Sequence, residues 1–338
     1  MNCSFTRRTA LALATAALAA GTMTQAHAQG IREHNFKLAL QSPKGHPLEI
    51  GAQKFADLVA VRSDRKMKVS VFPGDLPGGD AQNVSALKGG TLAFVVLNSG
   101  TLASQVKDFT VYDLPFMFAN TQEVDAVFNG PFGQSMHAKL DSKGIVGLAY
   151  FELGFRNITN SKRAIQNAED IEGLKLGVVP NAINADWMQA LGANPAPLAV
   201  TEVYAALKQK SIDGQESPLV TFFADRYYEV QKHLAITNHQ YNPQSLIFSK
   251  LLWDGLNAVE RKVLQDAAAE AARFQRQFAR DAASSTLIGL KMAGVTVTEL
   301  SQAEQSKLRF RMKPVIDKHS AEFAETVHAL QAELTKLR

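Results

Sequence analysis

Arg156 follows the apolar run Ile145–Phe151, which reads as a buried strand. A guanidinium at a strand end can hold a carboxylate through two parallel charge-assisted hydrogen bonds. It serves there either a bound acid or a surface ion pair. Asn98 and Ser99 come directly after a second apolar run, Leu92–Leu97, at the edge where ligands dock on α/β sheets, although both residues also suit plain turn capping. Gln215, Glu216 and Ser217 follow a tight Asp213-Gly214 turn. These groups are suited to holding a solute, and signs of covalent chemistry are thin. The glycines between Gly74 and Gly79 lack the Gly-Lys-Ser/Thr ending of a phosphate loop and the Gly-x-Gly-x-x-Gly of a dinucleotide turn. There is no Gly-x-Ser-x-Gly elbow. Of the eight histidines, His27 lies near the start and the others are spread from His34 to His328 without His-Glu-x-x-His or other zinc spacing. No cofactor, metal site or catalytic residue is therefore expected, and a hydrolase built from dispersed residues is the residual enzyme reading.

The elements that must position these residues alternate. Phe36–Leu40 and Lys68–Phe72 read as strands with an amphipathic helix, Pro47–Val61, between them; Ala81–Lys88 continues as helix. Leu174–Val179 reads as a strand and Ala182–Leu191 as a helix. This is the pattern of an α/β protein with largely parallel strands. Asn257–Lys291 stays helical for about 35 residues, long for a globular helix. Val295–Val297 reads as a strand, and Ser301-x-x-Glu304 as a capping box opening the last helices.

The N-terminus predicts export. Arg7 and Arg8 precede an Ala/Leu run from Thr9 to about Gly21, and Ala26-His27-Ala28 offers a small-x-small cleavage pattern near Ala28. Thr6–Thr9 half-matches a twin-arginine signal, with Ala10 where a bulky apolar residue is usual. The apolar run is too short to span a bilayer, so a soluble mature chain is expected. The sole cysteine, Cys3, leaves with the leader. Without residues 1–28 the formal charge falls from +4 to +2 over 310 residues, with Lys and Arg scattered among acids. Nothing in that distribution supports a nucleic-acid role, and the length suits a core shared by two domains.

The most informative stretch is Val200–Pro218. Thr201 suits an N-cap, Val203, Ala206 and Leu207 form an apolar stripe, and Ser211 starts the exit towards the Asp213-Gly214 turn and Gln215-Glu216-Ser217-Pro218. This segment resembles the signature of the solute-binding proteins of tripartite ATP-independent periplasmic (TRAP) transporters, the dicarboxylate-binding P subunit family. Phe72-Pro73, Leu87–Leu92, Leu114-Pro115-Phe116, Phe155–Asn160, Glu169–Leu176, Gly192–Pro195, Tyr228–Lys232 and Thr237-Asn238-His239 match the family in order, so the resemblance covers most of the mature chain.

The resemblance implies a two-lobed α/β periplasmic binding-protein fold with mixed, mostly parallel sheets, hinge crossings and a long helix spanning both lobes. By analogy the crossings lie near Phe151–Gly154, near Tyr241 and within the long helix. The implied division is residues 29–153 plus 242–281 for lobe I and 154–241 plus 282–338 for lobe II, after a signal peptide at 1–28. The implied function is a monomeric periplasmic receptor that closes on a small organic acid and delivers it to the integral membrane permease subunits of a TRAP transporter, driven by an ion gradient. A receptor that presents its ligand to a sensor kinase would have the same fold.

The family's usual carboxylate anchor is an arginine in the strand after the Gly-Leu-Lys motif, and here that position is Gly177. Alternation with Leu176 and Val178 puts Gly177 on the cleft face. Ser217 replaces a family asparagine, and Pro180 stands where asparagine is frequent, with Asn181 adjacent. Arg156 matches a second arginine that often helps hold the acid, and His239 falls where the family has a cleft histidine. The implied ligand-binding set is Arg156, Gly177, Asn98, Ser99, Asn181, Gln215, Ser217 and His239, with Glu216 holding its loop and Trp187 in the core. Loss of the anchor leaves a neutral, bulky aromatic or polyol solute open beside the acid.

Overall fold

The computed structural model describes residues 30–74 and 79–338. The leader, its cleavage point and Cys3 lie outside the described residues. The chain opens with β1 (His34–Leu40), α1 (Pro47–Arg62), β2 (Met67–Pro73), α2 (Gly79–Lys88) and β3 (Phe94–Asn98). β1 pairs in parallel with both β2 and β3, so α1 and α2 are crossovers of an α/β layer. His46 caps α1 by accepting the Leu48 amide on Nδ1 at 3.1 Å, and Pro47 begins the helix without a donor to satisfy. Leu48, Ala52, Phe55, Ala56 and Val59 lie on the buried face, where Phe55 meets Phe94 edge-on at 5.0 Å.

α3 (Thr121–Asn129) and α4 (Pro131–Ala138) lead into β4 (Ile145–Asn160). A second α/β unit follows: β5 (Lys175–Val178), α5 (Ala182–Ala190), β6 (Asn194–Pro197), α6 (Val200–Lys208), β7 (Gly214–Pro218) and α7 (Leu219–Ala224), with β5 parallel to both β6 and β7. α6 starts two residues earlier than the cap pattern suggests. Ala199 occupies the N-cap and donates its amide to Glu202 Oε2 at 3.0 Å, so Thr201 lies inside the first turn.

β8 (His233–Ser249) runs antiparallel beside almost the whole of β4. Its C-terminal half pairs with β3, and its N-terminal half with β9 (Thr296–Glu299). One nine-stranded sheet results, in the order β2-β1-β3-β8-β4-β7-β5-β6 with β9 on β8, and its parallel pairings outnumber the antiparallel ones. β4 and β8 carry the chain between the two lobes. The pairing is irregular between Glu152 and Gly154, where Gly154 takes φ +102°, a conformation that costs a residue without Cβ little.

After α8 (Lys250–Asp254), α9 (Ala258–Met292) runs for 35 residues behind a reciprocal capping box between Asn257 and Glu260. It packs on α1 and β4 and then on α7, so it spans both lobes. Gln275 on α9 brackets the crossing: its Oε1 accepts the Glu152 amide at 2.6 Å and its Nε2 donates to the Glu152 carbonyl at 2.8 Å. α10 (Gln302–Ser320) packs on α5, and α11 (Ala324–Thr335) returns to α3 and α4. Half of the expected box at α10 forms. Ser301 Oγ accepts the Glu304 amide, while the Glu304 carboxylate reaches the Ala168 amide at 2.9 Å. Among the described residues no helix is long and apolar enough to cross a membrane.

Candidate ligand-binding cleft

A cleft of ≈ 470 Å³ opens where the two lobes face each other across β4 and β8. Gln41, His46, Asp80 and Asn98 line it from the first lobe, and Arg156, Gly177, Gln215, Ser217, Asp225 and Tyr227 from the second. Arg156 is the only lysine or arginine among the lining residues.

Arg156 leaves β4 opposite the strand that carries Glu216, with Ile158 paired to Glu216 in the register. The guanidinium lies against that carboxylate: Nε donates to Oε2 and Nη2 to Oε1 at 2.9 Å, and Nη2 also reaches the Glu216 carbonyl at 2.8 Å. Arg156 is therefore ion-paired, as one of the two sequence readings has it, but the pair is buried and not on the surface. Its Nη1 has no partner among the described residues and remains available to a ligand. Burial pushes the Glu216 carboxyl up, but Arg156 and His239 outweigh it and hold the group below the usual carboxylate range. Glu216 does hold the loop, as expected, and does so by gripping Arg156.

His239 stands behind this pair and not in the cleft. Its Nε2 lies 3.3 Å from Glu216 Oε2, its Nδ1 lies 2.8 Å from Thr237 Oγ1, and the ring packs 4.6 Å from Trp187. An ionised carboxylate only accepts, so Nε2 carries the proton and Nδ1 accepts from the threonine hydroxyl. Burial lowers the imidazole pKa against the pull of Glu216. Trp187 is fully buried, in the core role expected of it, and donates to Asn184 Oδ1 at 2.9 Å.

Two further expectations change. Ser99 is fully buried, its hydroxyl 2.8 Å from that of Ser245, so the strand-end position makes it a core contact and not a lining residue. Asn181 caps α5 by accepting the Asn184 amide at 2.7 Å, and its Nδ2 lies 3.3 Å from Asp113 Oδ2; it too is set back from the cleft. Asn98 does line the cleft. Its Oδ1 accepts the Gly100 amide at 2.9 Å as a turn cap, which leaves the side-chain NH₂ for a ligand.

Gly177 lines the cleft, beside Gln215 in the register, while Leu176 belongs to the core and Val178 is buried there but also borders the cleft. The space there is smaller than a missing arginine suggests, because a Cβ would sit 3.1 Å from Ile212 Cδ1. Gln215 donates to Thr159 Oγ1 at 3.0 Å. The Ser217 hydroxyl is buried with no partner among the described residues. His46 presents the Nε2 proton, since Nδ1 is occupied by the Leu48 amide, and burial lowers its pKa to about 4. No group of three or more potential metal ligands occurs among the described residues.

Sequence reasoning missed Asp113, Asp80, Asp225 and Tyr227. Enclosure raises the Asp113 carboxyl to about 7, with Arg156 drawing it down and Glu216 pushing it up. Asp113 precedes Leu114-Pro115-Phe116, and no local pattern separates it from an ordinary surface acid.

This is the geometry of a receptor that encloses a small polar solute, and comparison with known proteins agrees. The profile of bacterial extracellular solute-binding protein, family 7 (DctP) matches residues 38–322, and the chain belongs to that family, the TRAP solute-binding proteins. It is 31% identical over 291 residues to the 2,3-diketo-L-gulonate-binding periplasmic protein YiaO of Escherichia coli, covering 86% of this chain and 87% of that one. The crystal structure of a TRAP periplasmic solute-binding protein from Ochrobactrum anthropi, with a C-terminus bound in its ligand pocket, superposes with a TM-score of 0.87 at 44% identity over 91% of this chain and 96% of that one. The sugar-acid-binding protein DctPAm from Advenella mimigardefordensis, in complex with galactonate, gives a TM-score of 0.85 at 36% identity, covering 91% and 100%.

Proposed function

We propose that the protein is a periplasmic receptor that captures a small organic acid by lobe closure and delivers it to an ion-gradient-driven TRAP permease. The observation that carries this reading is Arg156: among the described residues it is the one lysine or arginine lining the cleft, fixed in orientation by Glu216, with Nη1 uncommitted. Fixing a guanidinium before the ligand arrives lowers the ordering cost of binding. The sugar-acid ligands of the relatives support the same class. In this reading residues 1–28 are removed on export and the mature chain acts as a monomer. Lobe I comprises 29–153 and 242–281, and lobe II comprises 154–241 and 282–338. The contacts of α11 with α3 and α4, however, favour counting it with lobe I. Closure shifts with ligand because the acid contacts both lobes at once only in the closed state.

Titration calorimetry of residues 29–338 against four- to six-carbon aldonates, uronates, keto acids and dicarboxylates tests capture. One acid class should bind with micromolar or tighter affinity, and silence across the whole set would overturn the reading. The answering of Arg156 by Glu216 favours a neutral polyol as the second reading, which the matching alditols test. Delivery is tested by uptake of the bound acid in cells with and without this protein. Unchanged uptake would remove the transport role.

A further inference from the structure

We infer that the cleft selects a monocarboxylate whose other polar groups are hydroxyls, and that Asp80 and Asp225 reject a second carboxylate. This rests on the reading that Arg156 receives an acid and extends it to the rest of the ligand.

Charge is the first observation. Among the described residues Arg156 is the only lysine or arginine lining the cleft, and Glu216 already answers it. Asp80 and Asp225 add two acids from opposite lobes, and neither has an ion-pair partner among the described residues. Arg226, next to Asp225, turns to Glu229 instead, at 2.5 Å. Asp80 accepts one hydrogen bond, from Gln41 Nε2 at 3.0 Å, which leaves its second oxygen open. A place in the first turn of α2 suits a carboxylate, yet that alone does not require it to face the cleft. Burial raises both acids, while hydrogen bonds from Gln41 and Tyr227 draw them back towards the ionised form. A ligand carboxylate brought beside either would meet like charge at low dielectric.

Unmet hydrogen-bonding capacity is the second, independent observation. Ser217 lines the cleft on a residue 5% exposed, and its hydroxyl has no partner among the described residues. Asn98 and His46 also line the cleft, and the Asn98 NH₂ and the His46 Nε2 proton have no partners among the described residues. Hydroxyls both donate and accept, so they satisfy the acids and these donors together, whereas a second carboxylate only accepts. A site whose buried polar groups need particular partners discriminates far more strongly than an apolar pocket does.

The experiment uses three ligands on one carbon skeleton: an aldonate, the aldarate in which the terminal CH₂OH has become a second carboxylate, and the alditol with none. Sets of galacto, gluco and erythro configuration are titrated calorimetrically into residues 29–338 at pH 7.5. In the set that binds, the aldarate should be at least 100-fold weaker than the aldonate. In Asp80→Asn/Asp225→Asn that gap should shrink at least tenfold, with the melting temperature showing an intact fold. Equal binding of aldonate and aldarate overturns this inference while the receptor for acids stands. A gap unchanged in the double variant removes Asp80 and Asp225 as its cause. Equal binding of aldonate and alditol overturns the acid reading itself, and failure of all three sets overturns both.

Discussion

Glu216 grips Arg156 through both carboxylate oxygens and its backbone carbonyl, across two adjacent antiparallel strands, with His239 closing the carboxylate from behind. Family resemblance places the main acid anchor on the strand that here carries Gly177. Among the described residues the one lysine or arginine of the cleft comes instead from β4, on the far side of β7 from that strand. Its charge serves the fold and the ligand together, and the two roles can be separated by substitution.

Arg156→Ala should abolish ligand-dependent stabilisation and also destabilise the empty protein. Removing one partner leaves a fully buried Glu216 uncompensated, a change that costs about 3–5 kcal/mol. The folded-state pKa of Glu216 lies below its ordinary value of 4.5, so the pair's contribution is present above that value and is lost as pH falls through the folded pKa. The stability gap between wild type and variant in urea unfolding should therefore be widest near pH 7 and narrow below about pH 4.5. A gap independent of pH would show that the Arg156–Glu216 pair does not cause it.

Asp113→Asn should flatten the pH dependence of stability. Asp113 has a folded-state value of about 7 against an ordinary 3.8, so the folded chain binds its proton more tightly than the unfolded chain does. Stability then falls as pH rises from about 4 to 7, and the penalty stays in place above 7. Melting curves at pH 5 and pH 8 should show wild type losing more over that interval than the variant. Identical slopes would mean that Asp113 ionises freely.

The parts of this protein read best from sequence are those where burial is apolar. β1, β2, β3, α1 and α9 follow their hydrophobic patterns to within a few residues. The second half of β4 and β8 as far as Gln244 do not, because Asn157, Thr159, Thr237, His239, Gln240, Asn242 and Gln244 are buried polar residues with no period-2 apolar signal. Those same strands form the hinge and the cleft floor. Arg156, Asn98, Gly177, Gln215 and Ser217 were placed at the cleft through motifs at strand ends. Ser99, Asn181 and His239 sit one layer behind it, a distinction that depends on rotamers and packing and not on position along the chain.

Gln275→Leu should loosen the crossing between the lobes. The Gln275 amide satisfies both the N–H and the C=O of Glu152 in the buried interior, and an isosteric apolar side chain leaves both orphaned. At about 1–3 kcal/mol for each unsatisfied group, a loss of roughly 2–6 kcal/mol is expected in urea unfolding. Small-angle scattering of the empty variant should also show a shifted balance of open and closed forms. Full wild-type stability would mean that water replaces the bracket without penalty.

Gly177→Arg should widen the cleft's chemistry to diacids. A side chain at this position starts 3.1 Å from Ile212 Cδ1, the mobile end of a side chain, so the backbone can stay in place while Ile212 yields. The new guanidinium would extend from the strand beside Gln215, next to Glu216, and would draw on the carboxylate that now serves Arg156. The cleft would then hold two cations against Glu216, Asp80 and Asp225. A four-carbon dicarboxylate should gain at least tenfold in affinity, about 1.4 kcal/mol, as a second fork meets its second carboxylate. Wild-type ligand should bind more weakly because the added side chain occupies part of the ≈ 470 Å³ cleft. Thermal-shift and calorimetric profiles across mono- and dicarboxylates check both outcomes. An unchanged profile in a well-folded variant would show that position 177 does not reach the ligand.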